Sequence, residues 1–271
     1  MTQNEPQATP QQLDQNERNQ LIQRRFGATA QNYVTSAVHA QGPDLAWIVE
    51  AAVLTGSEQI VDVATGTGHT ALALAPYAHS AIAVDFTLPM LEAAQQLATA
   101  RGIKNISFVE GDAHALPLAD NSADLIACRK SAHHFANIVQ AISEWARVLK
   151  PGGKLILVDS VAPEEPELAA FVHEIEVLRD PSHVRNHRVS AWLDMLNTAG
   201  ITSSLQRTWG IHMDVPTWTE RMRTPAENVE RITHRFSTAT PAVRERLHIE
   251  HTAGVFTFDL PAALIVGTSV K

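Results

Sequence analysis

The sequence predicts a doubly wound α/β fold, a mostly parallel sheet with helices on both faces, and three observations predict it. Short β-branched runs alternate with longer helical segments between about residues 59 and 160. The strand runs are predominantly apolar, as strands buried on both faces must be. The first strand passes directly into a glycine-rich turn, Val61-Asp62-Val63-Ala64-Thr65-Gly66-Thr67-Gly68, which opens a helix.

Residues 1–17 are rich in Gln, Asn and Pro, with too few large apolar groups to offset the entropy of ordering, and are expected to form a disordered tail. From residue 18 to 54, Leu21, Ile22, Phe26, Tyr33, Val34, Val38, Leu45, Ile48 and Val49 recur at helical spacing, with a break at Gly42-Pro43. This predicts a helical N-terminal lid. Residues 55–271 then form the main domain. Its strands are expected at Gln59 to Val63, Ala81 to Asp85, Ile106 to Glu110, Asp124 to Cys128 and Lys154 to Asp159. Its helices are expected after the glycine turn, over Leu88 to Ala100, and over Ile138 to Leu149, which Pro151-Gly152-Gly153 terminates. Beyond Asp159 the alternation weakens. Helices are expected over Pro166 to Leu178 and Ser190 to Ala199, a strand over Ile201 to His212, and two terminal strands at Phe256 to Phe258 and Ala262 to Val266. Segments at about 160–190 and 213–252 interrupt the pattern and are expected to be cap insertions over the site.

A chain of 271 residues accommodates one elaborated domain with a cap. Its net charge of −8, with no long run of Lys or Arg, argues against nucleic acid or an anionic membrane surface as partner. Cys128 is the single cysteine and lies inside an apolar strand, which fits a buried thiol and a reducing compartment. There is no signal-like start and no apolar stretch of about 20 residues, so a soluble, cytoplasmic protein with a small-molecule partner is expected. A homodimer is compatible with it.

The glycine turn lets a ligand approach the main chain closely. By itself, Gly66-x-Gly68-x-x-Ala71 also suits a dinucleotide pyrophosphate. Asp85, ending the next strand, can accept hydrogen bonds from ribose hydroxyls, which does not separate nicotinamide from adenosylmethionine ligands. The next motif, Val109-Glu110-Gly111-Asp112-Ala113-His114-Ala115-Leu116-Pro117, does; it follows the third strand, where Asp112 is placed to accept from an adenine amino group. Val148-Leu149-Lys150-Pro151-Gly152-Gly153 is the fourth motif.

Together VDVATGTG, AVDF, EGDAHALP and RVLKPGGKLILVD resemble the class I S-adenosylmethionine-dependent methyltransferases, in the small-molecule branch similar to ubiquinone and menaquinone biosynthesis methyltransferases. The resemblance runs from about Phe26 to Gly200. It implies a Rossmann-like, seven-stranded sheet and S-adenosyl-L-methionine as cofactor. It places the methionine end over Ala64, Thr65, Gly66 and Gly68, the ribose on Asp85, the adenine beside Phe86, Asp112 and Ala113, and Met90 against the adenosyl side. Ala64 stands where the family has its first glycine, which predicts a slightly altered turn with ordinary torsions at the alanine. The segment from Phe26 to His39 resembles the family's lid, with Tyr33 directed to the cofactor carboxylate and His39 to the substrate pocket.

Ligands of an open α/β sheet collect beyond the carboxyl ends of the strands. There the fourth strand ends in Cys128-Arg129-Lys130-Ser131-Ala132-His133-His134-Phe135. Either His133 or His134 can accept a proton from an attacking atom, or simply close the loop with a ring hydrogen bond. Arg129 suits the methionine carboxylate, a substrate anion, or an ion pair with Asp62 or another acid. The polar segment Arg179 to His187 suits a cover loop, with His134, His183 and Arg185 on the substrate side. Trp218, Met222 and Phe236 suit either a pocket wall or the core of the cap. No metal site is expected: His183 and His187 share helical spacing, but no third ligand stands beside them.

The expected reaction is methyl transfer to an O, N or C nucleophile of a small molecule by in-line displacement. A nicotinamide-dependent oxidoreductase would leave Asp112 and the Pro-Gly-Gly motif unexplained. A repurposed fold, acting as a cofactor-binding protein, a cyclase or a demethylase, is the other alternative.

Overall fold

A computed structural model describes residues 15–36 and 40–271. Most of the expected tail lies outside them, as does His39. Gln15 to Glu17, assigned to the tail, instead form the first turn of helix α1 (Gln15–Thr35), in which Glu17 is the first-turn acid favoured by the helix dipole. Helix α2 (Asp44–Ala52) follows, with Pro43 as its N-cap.

Five strands then build the parallel part of the sheet: β1 (Gln59–Val63), β2 (Ser80–Asp85), β3 (Ile106–Glu110), β4 (Ala123–Arg129) and β5 (Leu149–Ser160). The helices between them are α3 (His69–Leu74), α4 (Leu88–Ala100) and α5 (Ile138–Val148). With β6 (Ile201–Asp214) and β8 (Val255–Ser269) added, the order β3-β2-β1-β4-β5-β8-β6 reverses between β1 and β4. That reversal opens a crevice at the carboxyl ends of these two strands.

Side-chain alternation explains the predominantly apolar strands. Val61, Val63, Ile126, Cys128, Leu155 and Leu157 pack on one face with Trp145 of α5 and with Trp192 and Leu196 of α7 (Val189–Thr198). Ile60, Leu125, Ala127, Ile156 and Val158 point the other way, onto Ile48 of α2 and Leu74 of α3. The central strands β1, β4 and β5 therefore bury both of their faces, whereas the edge strand β3 has no fully buried residue. Buried Cys128 has its thiol pKa raised by that burial, which keeps it protonated and inert.

Beyond α6 (Pro166–Arg179) and α7, β6 (Ile201–Asp214) forms the far edge. Helices α8 (Val215–Arg221), α9 (Ala226–Ser237) and α10 (Pro241–Arg246) lead to the three-residue β7 (Glu250–Thr252), which pairs with β8 as an eighth strand beside the seven of the main path. The two terminal strands expected from the sequence are one strand, β8 (Val255–Ser269), antiparallel to both β5 and β6. Pro261 does not break it. Its carbonyl accepts from Val161 on the side where β5 ends, so the missing N–H falls on that side and the ladder to β6 continues.

A separate apolar cluster joins Leu168, Phe171 and Ile175 of α6 to Trp218 of α8, Phe236 of α9 and Phe258 of β8. It holds together the segments over the carboxyl end of the sheet. No helix among the described residues is long and apolar enough to cross a membrane.

Candidate active site

The glycine turn is tied down from both sides. Thr65 N–H donates to the Val84 carbonyl on β2 at 2.9 Å, and buried Asp62 Oδ2 accepts from Thr65 Oγ1 at 2.5 Å and from Ala71 N–H at 3.0 Å. Burial pushes the Asp62 carboxyl up to about 7 against these bonds. Gly68 has φ +81° and lies against α4, where an added Cβ would stand 2.9 Å from the Ala94 Cβ. Gly66 has φ +55° with nothing near its missing side chain, so conformation and not space requires glycine there. Ala64 does not keep ordinary torsions. Its φ is +52°, because the chain reverses out of β1 at this residue, and the strain that a glycine would avoid falls on the alanine.

Asp85, at the end of β2, accepts from Gly66 N–H and from Thr87 N–H, each at 2.8 Å. Its carboxylate thus fixes the glycine turn and also lines a cleft of about 970 Å³. Ala64, Thr65, Phe86, Met90, Asp112 and Ala113 line the same cleft, so the residues expected around the cofactor lie together. Gly68 supports the turn from behind. Asp112 accepts from the backbone and Nδ1 of His114 at 2.9 and 2.6 Å, and from Asn19 of α1 at 3.1 Å.

Asn19, His69 and His114 also line the cleft and were not among the residues expected from the sequence. His69 opens α3 directly after the glycine turn, a position that could have drawn notice. Its Nε2–H donates to the Tyr33 carbonyl at 3.1 Å, while its buried Nδ1 has no protein partner. Tyr33 contributes to the cleft wall and bonds its hydroxyl to the Met222 sulfur at 3.2 Å; burial raises its pKa to about 12. Arg129 borders the cleft too, but its guanidinium is paired at 2.6 and 3.1 Å with buried Asp44 at the start of α2. Lys130 shares that carboxylate at 3.2 Å. The partner of Arg129 is therefore Asp44 and not Asp62.

A second cavity, of about 560 Å³, adjoins the first, and Phe26, Tyr33, Lys130 and His134 border both. On its floor His133 Nδ1–H donates to Asp159 Oδ1 at 2.6 Å, and the other Asp159 oxygen accepts the His133 backbone N–H at 2.9 Å. Burial opposes a charge on His133, but the Asp159 charge and hydrogen bond outweigh it and raise its pKa above the ordinary 6.5. His134 behaves oppositely. Burial, then the charge of His133, lowers it to about 4, and its Nδ1–H donates to the Ser182 carbonyl at 3.1 Å.

Two expected substrate residues are displaced from this cavity. His183 is buried behind it, with Nδ1 3.5 Å from Glu176. Arg185 is exposed, because its backbone N–H and that of Val184 turn inward to the His133 carbonyl at 3.1 and 2.9 Å and leave the side chain outside. Besides Lys130, His133 and His134, the basic groups that line the cavity are Arg179 and Arg221, with Glu176, Asp180, Trp218 and Met222 beside them. Phe236 belongs to the cap core. The polar segment beginning at Arg179 was visible in the sequence, but the members that face the cavity are its first two residues, Arg179 and Asp180. No metal-binding group of His, Cys, Asp or Glu occurs among the described residues.

Residues 61–157 match the family model of the methyltransferase domain. The chain is 36% identical over 244 residues to the uncharacterized methyltransferase YcgJ of Bacillus subtilis, covering 89% of this chain and 96% of that one. The YcgJ crystal structure superposes with a TM-score of 0.81 over 84% of this chain and 98% of that chain. A putative methyltransferase of Bacillus halodurans, 33% identical, gives 0.79 over 85% of this chain and all of its own. A demethylmenaquinone methyltransferase of Deinococcus radiodurans is 35% identical over 156 residues, 55% of this chain and 64% of that protein. With the glycine turn, Asp85 and Asp112 gathered on one cleft, the chain belongs to the class I S-adenosylmethionine-dependent methyltransferases.

Proposed function

We propose that the chain methylates an oxygen, nitrogen or carbon nucleophile of a small molecule by in-line displacement, with S-adenosyl-L-methionine in the larger cleft and the acceptor in the adjoining cavity. The observation that carries this reading is the shared border of the two cavities at Phe26, Tyr33, Lys130 and His134. It separates a glycine turn backed by acids from a buried histidine and aspartate pair.

The residues fit the cofactor. The space beside Gly66 is open, and Asp85 and Asp112 each retain acceptor capacity at the cleft wall. Phe86, Met90 and Ala113 offer apolar surface for an adenine, and unpartnered His69 Nδ1 offers a polar contact. When bound, the cofactor supplies a methyl group on a positively charged sulfur, which already leaves readily.

The protein is then left with alignment, exclusion of water and removal of a proton. Donation of His133 Nδ1–H to Asp159 leaves Nε2 as the basic atom of the ring. His133 accepts the acceptor's proton there, and Asp159 stabilises the resulting imidazolium. His134, held neutral, serves the shared border as a polar wall without bringing a second charge. Helix α1 acts as a lid and the segments around α6 and α8 to α10 as a cap.

Calorimetry with S-adenosylmethionine, followed by mass spectrometry of phenolic, heteroaromatic and quinol acceptors incubated with the protein, tests the reading. Cofactor binding and a mass gain of one methyl group on an acceptor are expected, with turnover lost in His133→Ala. Cofactor binding without transfer to any of these acceptors would favour a repurposed fold.

A further inference from the structure

The acceptor cavity contains a charge arrangement that methyl transfer itself does not require. Arg179 ends α6 and Arg221 ends α8, and both line the cavity. Among the described residues, neither guanidinium has an ion pair. Arg179 Nε–H donates to the Trp218 carbonyl at 3.0 Å, and the contact of Arg221 is the Met213 sulfur at 3.8 Å. Burial, followed by the charge of Arg179, lowers the pKa of Arg221.

Arg179 Nε–H caps the Trp218 carbonyl in the last turn of α8, but helix capping does not account for the other donors of this pair of arginines. The last carbonyls of α6, at Leu178 and Arg179, accept from Asn228 Nδ2 and Thr224 Oγ1, so the guanidinium groups do not cap it. The acids of the cavity are otherwise engaged. Asp159 holds His133, and Asp180 accepts from the backbone and hydroxyl of Ser182 at 2.9 and 2.7 Å. Glu176 is fully buried with one carboxyl oxygen unpartnered, and that burial raises its pKa, which favours the neutral acid. Among the described residues no carboxylate contacts either guanidinium directly, and Asp180 and Asp214 act on the pair only from a distance, so these two partly buried like charges keep donors open to an anionic ligand.

Resting on the reading of this cavity as the acceptor site, we propose that Arg179 and Arg221 clamp a carboxylate of the acceptor, which is therefore an aromatic carboxylic acid bearing a separate nucleophilic group. Planar guanidinium groups match a carboxylate's geometry, and two of them impose an orientation that one would not. Trp218, Ile211, Met213 and Leu260 provide the apolar wall for the ring. A monoanion suits the site better than a phosphate dianion, because Asp159 and Asp180 line the same space. With the carboxylate on the arginines, the nucleophile is left for the His133 end.

Calorimetry on the S-adenosylhomocysteine-loaded protein tests this with 4-hydroxybenzoate, 4-hydroxyphenylacetate and 4-hydroxycinnamate, each against its primary amide, and with phenyl phosphate. At least one acid is expected to bind about tenfold or more tightly than its amide, as befits charge-assisted bonds to arginine. Arg221→Gln is expected to reduce that ratio to about twofold, and Arg221→Lys to restore part of it, with S-adenosylhomocysteine affinity unchanged. Acids that bind no better than their amides, a preference that survives Arg221→Gln, or tighter binding of phenyl phosphate would each overturn the carboxylate clamp. Failure to bind S-adenosylhomocysteine would instead overturn the cofactor reading beneath it.

Discussion

The buried carboxylate of Asp159 holds His133 twice, through the ring Nδ1 at 2.6 Å and through the backbone N–H at 2.9 Å. Position and tautomer of the imidazole are thus set by one residue at the end of β5. The pairing raises the histidine's pKa above 6.5 against the opposing effect of burial. If neutral His133 accepts the proton, turnover falls as pH drops through that raised value and is full above it. In Asp159→Asn the charge of Asp159 disappears while burial remains, opposed only by the smaller effects of Glu176 and Asp180, so the acidic limb of the kcat profile moves to lower pH. Turnover at its plateau falls by about 100-fold, the scale of general-base catalysis. A limb that stays in place in Asp159→Asn would remove His133 from the proton transfer. Stability follows the opposite sign: the pair contributes fully below pH 6.5, and the contribution fades as pH rises through the folded value.

The turn after β1 makes opposite predictions at two small residues. Ala64 carries φ +52°, so Ala64→Gly relieves backbone strain, partly offset by the entropy that glycine adds to the unfolded chain. A net stabilisation of about 0.5–1 kcal/mol is expected by denaturant titration. Gly68→Ala faces both φ +81° and the Ala94 Cβ at 2.9 Å, and is expected to cost about 2–3 kcal/mol and to weaken cofactor binding. Equal effects at the two sites would contradict the assignment of strain to Ala64 and contact to Gly68.

The difference between these sites also indicates what the sequence could reveal. Glycines 66 and 68, Asp85 and Asp112 sit in short motifs at strand ends, where local spacing fixes location, and they were legible together with the five parallel strands. The joining of the two C-terminal strands was not, because Pro261 reads as a breaker until its neighbour on each side is known. Around the second cavity the segment from Arg179 to His187 was recognisable, but which side chains enter depends on Val184 and Arg185 turning their N–H groups to His133, some fifty residues away. The Arg129 pair with Asp44 is likewise a contact across 85 positions, and periodicity carries no trace of it.

Asp85 combines a structural position with a proposed ligand-binding one, and substitutions can separate the two. Asp85→Asn retains one carbonyl acceptor for either Gly66 or Thr87, whereas Asp85→Ala leaves both N–H groups without it. Loss of about 1–2 kcal/mol of stability is expected for alanine and less for asparagine. Both should weaken S-adenosylmethionine binding by about tenfold or more, since neither preserves a charged acceptor for a diol. Unaltered affinity in Asp85→Asn, measured by calorimetry, would place the ribose elsewhere.

The ion pair beneath the cleft gives a test that does not depend on the reaction. Asp44 is 1% exposed and holds both Arg129 and Lys130, anchoring α2 to the carboxyl end of β4. Burial alone would raise its pKa, but the bonds and charges of the two cations lower it below 3.8. Its stabilising contribution is therefore present above about pH 4 and is lost as pH falls through the lower folded value. Asp44→Ala takes the carboxylate away from two buried cations and is expected to cost about 3–5 kcal/mol. Arg129→Met alone is milder, because Lys130 still faces the carboxylate. The double variant Asp44→Leu, Arg129→Met removes the pair as a unit, and the remaining Lys130, whose pKa burial already lowers to about 8, can shed its proton. The double variant should therefore recover most of the stability lost in Asp44→Ala. Additive losses in urea titrations of the three proteins would show that the pair contributes through packing and not through compensation of buried charge.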